Sequence, residues 1–98
     1  RPRPASAVDL PLEYFRAGVE WLRARLGHDR VALWGQSRGG EAALLTAATY
    51  PDLVRAVVAW VPSHTVNNGE GAAWGDWTRL ERSMWSVAGQ AVPFAPYV

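Results

Sequence analysis

Apolar side chains recur every three to four residues in the first third of the chain. They are Leu12, Phe15, Val19, Leu22 and Leu26. This spacing places them on one face of a helix, which we predict over residues 11–26. Asp9 lies near its start, where a carboxylate suits the positive end of the helix dipole, and Gly27 is placed to end it as a left-handed cap.

Two short apolar runs flank a second predicted helix. Residues 31–34 and 54–61 are nearly free of charge and are typical of buried strands in a parallel sheet. Between them, residues 38–50 are rich in helix formers and stop at Pro51. A strand, a helix and a strand in this order predict a right-handed parallel crossover, with both strands ending at the same edge of the sheet.

The last third of the chain has a different pattern. Residues 67–98 are rich in glycine, proline and tryptophan, and only residues 79–86 show weak helical periodicity. Two interpretations of Trp74, Trp77 and Trp85 stay open. They form a lid or an acyl-binding wall over a site, or they cover the edge of a core.

Composition narrows the classes of partner and site. Ten basic residues, all arginine, face nine acidic ones, and the net charge of +1 favours neither nucleic acid nor an anionic membrane surface. Without cysteine, and with two histidines far apart, the sequence predicts no disulfide, no metal site and no bound cofactor. No run is long enough to span a bilayer, and we expect a cytoplasmic protein of undefined oligomeric state.

The segment from Gly35 to Gly39 carries the strongest chemical signal. It reads G-x-S-x-G and lies between the first predicted strand and the second helix. To turn a strand into a helix so sharply, Ser37 must hold a strained backbone, and Gly35 and Gly39 remove side chains that we expect to collide. This arrangement is the nucleophile elbow of α/β-hydrolases. The alternative is that Ser37 merely caps the helix. The order of glycines and the absence of lysine argue against a phosphate-binding loop.

Four segments together resemble the catalytic α/β-hydrolase domain of the acyl-CoA thioester hydrolase and bile-acid-CoA:amino acid N-acyltransferase family. These segments are residues 9–15, 35–41, 57–63 and 84–97. The elbow is common to α/β-hydrolases, whereas the Val-Pro-Ser turn at residues 61–63 and the Trp-to-Pro-Phe-x-Pro tail point to this family. In that family the residue that matches Ser37 is serine in the hydrolases and cysteine in the amino-acid conjugating branch. Serine at this position therefore favours hydrolysis.

The resemblance implies acyl transfer through a covalent intermediate. Ser37 is expected to attack the thioester carbonyl, and the backbone N–H of Arg38 to donate to the oxyanion. Coenzyme A enters only as part of the small-molecule substrate. The acid and the histidine of the triad are expected beyond Val98.

The remaining polar candidates are given structural roles. We interpret His28 and His64 as turn residues, and Glu70 and Asp76 as solvated loop carboxylates. Glu41 is interpreted as a helix-dipole carboxylate. The side chain of Arg38 is open to a substrate anion or to a surface acid.

The resulting prediction is one central fragment, residues 1–98, of a partial α/β-hydrolase domain. It has a loop over residues 1–8, a helix-strand-helix-strand core over 9–64 and a loop-rich, lid-like segment over 65–98. The first residue is not methionine, and two strands are few for a doubly wound sheet, so we expect a piece of a larger enzyme that is inactive by itself. Two other functions stay open: an esterase or peptidase like dienelactone hydrolase or prolyl peptidase, and a non-catalytic interaction module.

Overall fold

A computed structural model describes residues 4–27, 29–71 and 79–95, with the side chain of Arg79 excepted. The chain divides into two compact units, Leu12–His64 and the unit made of Arg1–Pro11 with Thr65–Val98. In chain order the elements are β1 (Leu10–Pro11), α1 (Glu13–Leu26), β2 (Ala32–Gln36), α2 (Arg38–Thr49), β3 (Ala56–Trp60), β4 (Asn68–Glu70), β5 (Arg79–Ser83), β6 (Trp85–Val87) and β7 (Gln90–Ala91).

Helix α1 ends as predicted and begins differently. Gly27 has a φ of 71° and donates its backbone N–H to the carbonyl of Arg23 at 3.0 Å, which confirms the left-handed cap. The prediction for Asp9 was wrong, because Leu12 occupies the N-cap and Glu13 is the acidic residue of the first turn. Asp9 instead forms an ion pair with Arg82, and its N–H donates to the carbonyl of Ser83.

The central layer of the unit Leu12–His64 is a parallel pair of strands. β2 and β3 align Ala32 with Ala56 and Gln36 with Trp60, so the two strands end at the same edge, as predicted. Helix α2 joins them and buries the face that carries Ala42, Ala43 and Thr46. Side chains alternate between the two faces of a strand. The exposed residues of β2 are paired with the exposed residues of β3, as Trp34 is with Val58. One face of the pair therefore presents apolar side chains to solvent.

The second unit is built from short strands, and its β1 pairs with a strand from the other end of the chain. β6 lies between β1, to which it is parallel, and β7, to which it is antiparallel, while β4 and β5 form a separate antiparallel pair. The helical periodicity of residues 79–86 was a wrong indication, because these residues form β5 and most of β6. Met84 and Trp85 are buried there, at 1% and 4% exposure, so the apolar residues of this segment serve strand packing.

Within the described ranges, no helix combines the length and the apolar character needed to cross a bilayer.

Candidate active site

The turn that joins β2 to α2 holds Ser37 in an unusual backbone conformation. Its φ is 54° and its ψ is −117°, outside the regions that residues with a side chain commonly adopt. Ser37 stands at the N-cap of α2, but its side chain makes no capping hydrogen bond and is exposed. The serine hydroxyl is therefore presented to solvent at the carboxyl edge of the sheet, which is where open α/β sheets bind their ligands.

Gly35 closes this turn by close contact between backbone segments. A Cβ atom at Gly35 would lie 2.0 Å from the carbonyl oxygen of Gly39 and 2.7 Å from the backbone nitrogen of Gly40. Real Cβ contacts of that length do not occur, so only glycine fits at this position. The steric prediction for Gly35 is confirmed.

The corresponding prediction for Gly39 was wrong. A Cβ atom there would meet nothing within 4 Å, whereas one at Gly40 would lie 3.1 Å from the carbonyl oxygen of Gly35 and 3.2 Å from the Cβ of Pro62. The backbone of Gly39 approaches Gly35, but its own Cβ position points into open space. The second crowded glycine is thus Gly40, for which the only signal in the sequence was the Gly39-Gly40 pair.

The end of β3 fixes the backbone of Ser37. The N–H of Ser37 donates to the carbonyl of Trp60 at 2.9 Å, and the carbonyl of Ser37 accepts from the N–H of Glu41 at 3.1 Å. The first bond continues the β2–β3 ladder past the last strand residue, and the second is the first turn of α2. Both backbone groups of the strained residue are therefore held by regular structure.

Two residues that follow Ser37 stand at the positive end of α2. Arg38 is half-buried, and because it is the first residue of the helix and follows Ser37 directly, its backbone N–H lies beside the serine. Glu41 also lies in the first turn, as the helix-dipole interpretation expects, but its side chain is only 3% exposed. Glu41 is thus a buried residue in the first turn of α2.

The histidine and carboxylate candidates have different outcomes in the described part of the chain. His64 is exposed in the segment after β3, and no hydrogen bond joins it to Ser37 in the structure. His28 and Asp76 lie outside the described residues. The prediction for Glu70 was wrong: it is 7% exposed in β4, where its backbone exchanges two hydrogen bonds with Ala7, so it is not a solvated loop residue.

Of the three tryptophans in the last third of the chain, the structure describes Trp85. Trp85 is 4% exposed within β6, which agrees with the interpretation that these aromatics cover a core. Trp74 and Trp77 lie outside the described residues.

Acidic and histidine side chains do not gather into a metal-binding group anywhere in the described ranges.

The geometry above agrees with a comparison against known protein families. The model of the alpha/beta hydrolase fold family matches residues 1–85, and the chain belongs to this family. No curated protein and no solved structure matches the chain. Family membership, a parallel strand pair and the joining helix together support a partial α/β fold.

Proposed function

We propose that the turn at residues 35–39 is a nucleophile elbow and that Ser37 is the nucleophile of a serine hydrolase. The observation that carries the proposal is the backbone of Ser37, held at φ 54° by hydrogen bonds on both sides while its side chain is exposed and not used as a cap. Strain of this kind costs about 1–3 kcal/mol and clusters at functional sites. A serine that only capped the helix would not need this strained backbone conformation.

The proposed chemistry begins with attack of the Ser37 hydroxyl oxygen on an acyl carbonyl. A C–O bond forms, the hydroxyl proton passes to a general base, and the leaving group departs with the bonding electron pair. Water then attacks the acyl-enzyme and releases the acid. The family order of serine, acid and histidine suggests that acid and base lie beyond Val98.

The backbone N–H of Arg38 is the proposed oxyanion donor. It follows the serine directly and stands at the N-terminus of α2, where the helix dipole favours negative charge. Loss of one such donor typically raises the barrier by about 3 kcal/mol. No cofactor is required for this chemistry.

For the substrate class we propose acyl-CoA thioesters, with coenzyme A as the leaving thiol. This part rests on the resemblance to the thioester hydrolase family, which the Val-Pro-Ser turn at residues 61–63 and the Trp-to-Pro-Phe-x-Pro tail carry, and within which serine favours hydrolysis. The alpha/beta hydrolase match supports the broader class of small-molecule hydrolase and is equally compatible with ester substrates.

Active-site labelling tests the nucleophile. The parent enzyme that contains residues 1–98 is treated with a fluorophosphonate probe, and the modified peptide is mapped by mass spectrometry. We expect the label on Ser37, its complete loss in Ser37→Ala, and its retention in Ser63→Ala, the matched removal of a neighbouring hydroxyl. A hydrolytically active protein that carries no label on Ser37, or a Ser37→Ala variant with wild-type activity, would contradict the assignment.

Relative turnover tests the substrate class. Acyl-CoA thioesters of several chain lengths are compared with p-nitrophenyl esters of the same acyl groups. A higher kcat/KM for the thioesters supports the proposal, and equal values point to a general esterase.

A further inference from the structure

Two strained turns lie next to each other at the carboxyl edge of the sheet. Ser37 follows β2 with a φ of 54°, and Val61 follows β3 with a φ of 43°. A positive φ is uncommon for any residue with a side chain, and for a β-branched residue such as valine it is an outlier. Because Gln36 and Trp60 are partners in the strand register, the two strained residues follow paired positions.

A hydrogen bond joins the two turns. The N–H of Ser37 donates to the carbonyl of Trp60 at 2.9 Å, and Trp60 directly precedes Val61. The conformation of the second turn therefore sets the direction of the acceptor that fixes the backbone of Ser37.

Packing joins the turns a second time, through Gly40 and Pro62. A Cβ atom at Gly40 would lie 3.2 Å from the Cβ of Pro62 and 3.5 Å from its Cα, and Gly40 itself is buried. The proline ring fixes the φ of Pro62, so this neighbour is stiff. The first turn of α2 thus rests on the second turn of the edge.

We propose that the Val61–Pro62 turn is a positioning element for Ser37. It holds the strained serine backbone through the Trp60 carbonyl and the start of α2 through Pro62, so that the hydroxyl keeps its attacking direction. This inference rests on the proposed function of Ser37 as nucleophile. Strained conformations persist only where the surroundings over-determine them, and a displacement of about 1 Å at a reacting group costs up to about a hundredfold in rate.

The test compares variants that disturb the contact from each side. Gly40→Ala inserts a methyl group between the turns, and Pro62→Gly removes the ring and the Cβ. Pro62→Ala is the conservative variant because it keeps the Cβ. Matched controls are Gly18→Ala, where a Cβ meets nothing within 4 Å, and Pro51→Gly, an exposed proline after α2.

Each variant is made in the parent enzyme that contains residues 1–98, and fluorophosphonate labelling of Ser37 is measured over a range of probe concentrations. This separates the maximal labelling rate from probe binding. Hydrogen exchange at the Ser37 amide and urea unfolding are measured in parallel. We expect Gly40→Ala and Pro62→Gly to lower the maximal rate about tenfold or more with little change in probe binding, and to speed exchange at the Ser37 amide. Pro62→Ala should retain more of the rate, and the controls should match wild type.

The two substitutions should also be non-additive. The rate loss from Gly40→Ala should be smaller in the Pro62→Gly background, because the inserted methyl group no longer meets the ring. Additive losses would mean that the two residues act separately and would overturn the proposal.

The labelling results distinguish a failure of the positioning role from a failure of the assignment of Ser37 as nucleophile. Labelling of Ser37 at the wild-type rate in both Gly40→Ala and Pro62→Gly would overturn the positioning role and leave the nucleophile in place. Absence of label on Ser37 in a hydrolytically active wild-type enzyme would overturn both. If Gly40→Ala unfolds, the pair Pro62→Ala and Pro62→Gly decides the matter, since equal labelling rates in those two variants contradict the role of the proline contact.

Discussion

The unit Leu12–His64 and the strand unit, of which residues 4–11, 65–71 and 79–95 are described, are held together by different kinds of strand pairing. In the first, β2 and β3 are joined by one helix, and the register runs unbroken over five residue pairs. In the second, β1 pairs with β6 from the far end of the chain, over two residue pairs. The first unit is thus specified by neighbouring segments, whereas the second also depends on long-range pairing.

Crowded glycines show the same contrast. Gly35 is close to the backbone of Gly39 and Gly40, a few residues onward. A Cβ atom at Gly69 would lie 2.6 Å from the carbonyl oxygen of Ala7 and 2.7 Å from the Cγ2 of Val8. The contact in the first unit is intrinsic to a single turn, whereas the contact in the second depends on two distant segments meeting.

Substitution of Gly35 should have the largest effect. In Gly35→Ala the new methyl group has no space because backbone atoms from Gly39 and Gly40 surround its position on the turn itself. We expect the free energy of unfolding to fall by about 3 kcal/mol or more and the labelling of Ser37 to be lost. Urea unfolding and labelling by the fluorophosphonate probe measure the two effects.

The comparison for this experiment is Gly39→Ala, where a Cβ meets nothing within 4 Å. Its free energy of unfolding should stay within about 1 kcal/mol of wild type, since the residue lies in a helix and alanine is the better helix former. Equal destabilisation by the two substitutions would contradict the steric account of the turn.

The unit Leu12–His64 is easier to predict from the sequence than the strand unit, because its elements pair with neighbouring segments. Apolar periodicity located α1, a run of helix formers that ends at Pro51 located α2, and two apolar runs located β2 and β3, each to within a few residues. Each element carries its own pattern, and the partners of the sheet are adjacent. The serine turn was predicted for the same reason, since strand, turn and helix are contiguous.

Elsewhere the sequence alone was insufficient. Strands β5 and β6 carry no strict alternation, and Glu70 is buried because it meets Ala7 from the other end of the chain. Gly39 and Gly40 are identical in sequence terms, and only the direction of each Cβ separates them. Long-range pairing and backbone direction are the two quantities that a local pattern does not contain.

Substitution of Gly69 should have an intermediate effect and sharpen the contrast. In Gly69→Ala the methyl group meets the carbonyl oxygen of Ala7 and the Cγ2 and Cα of Val8, which belong to a separate segment of the chain that must move to admit it. We expect a loss of about 1–3 kcal/mol. Hydrogen exchange should rise at the amides of Ala7 and Glu70, which bond to each other's carbonyls at 3.2 and 3.0 Å, relative to the amides of β2 and β3 as internal reference. Unchanged exchange at both amides would contradict the close contact.

The smallest effect is expected for the ion pair between Asp9 and Arg82 in the strand unit. The backbone of Asp9 is already held, since its N–H donates to the carbonyl of Ser83 and its carbonyl accepts from the Ser86 hydroxyl, each at 2.9 Å. The side chains are 34% and 65% exposed, so solvent and salt screen their attraction. Arg82→Ala should therefore lower the free energy of unfolding by less than about 1 kcal/mol, and the difference should shrink in high salt. Urea unfolding at low and high NaCl measures it, with the exposed Arg30→Ala as control. A loss above about 2 kcal/mol that persists in salt would show that this surface pair, rather than the backbone pairing, fixes the start of the strand unit.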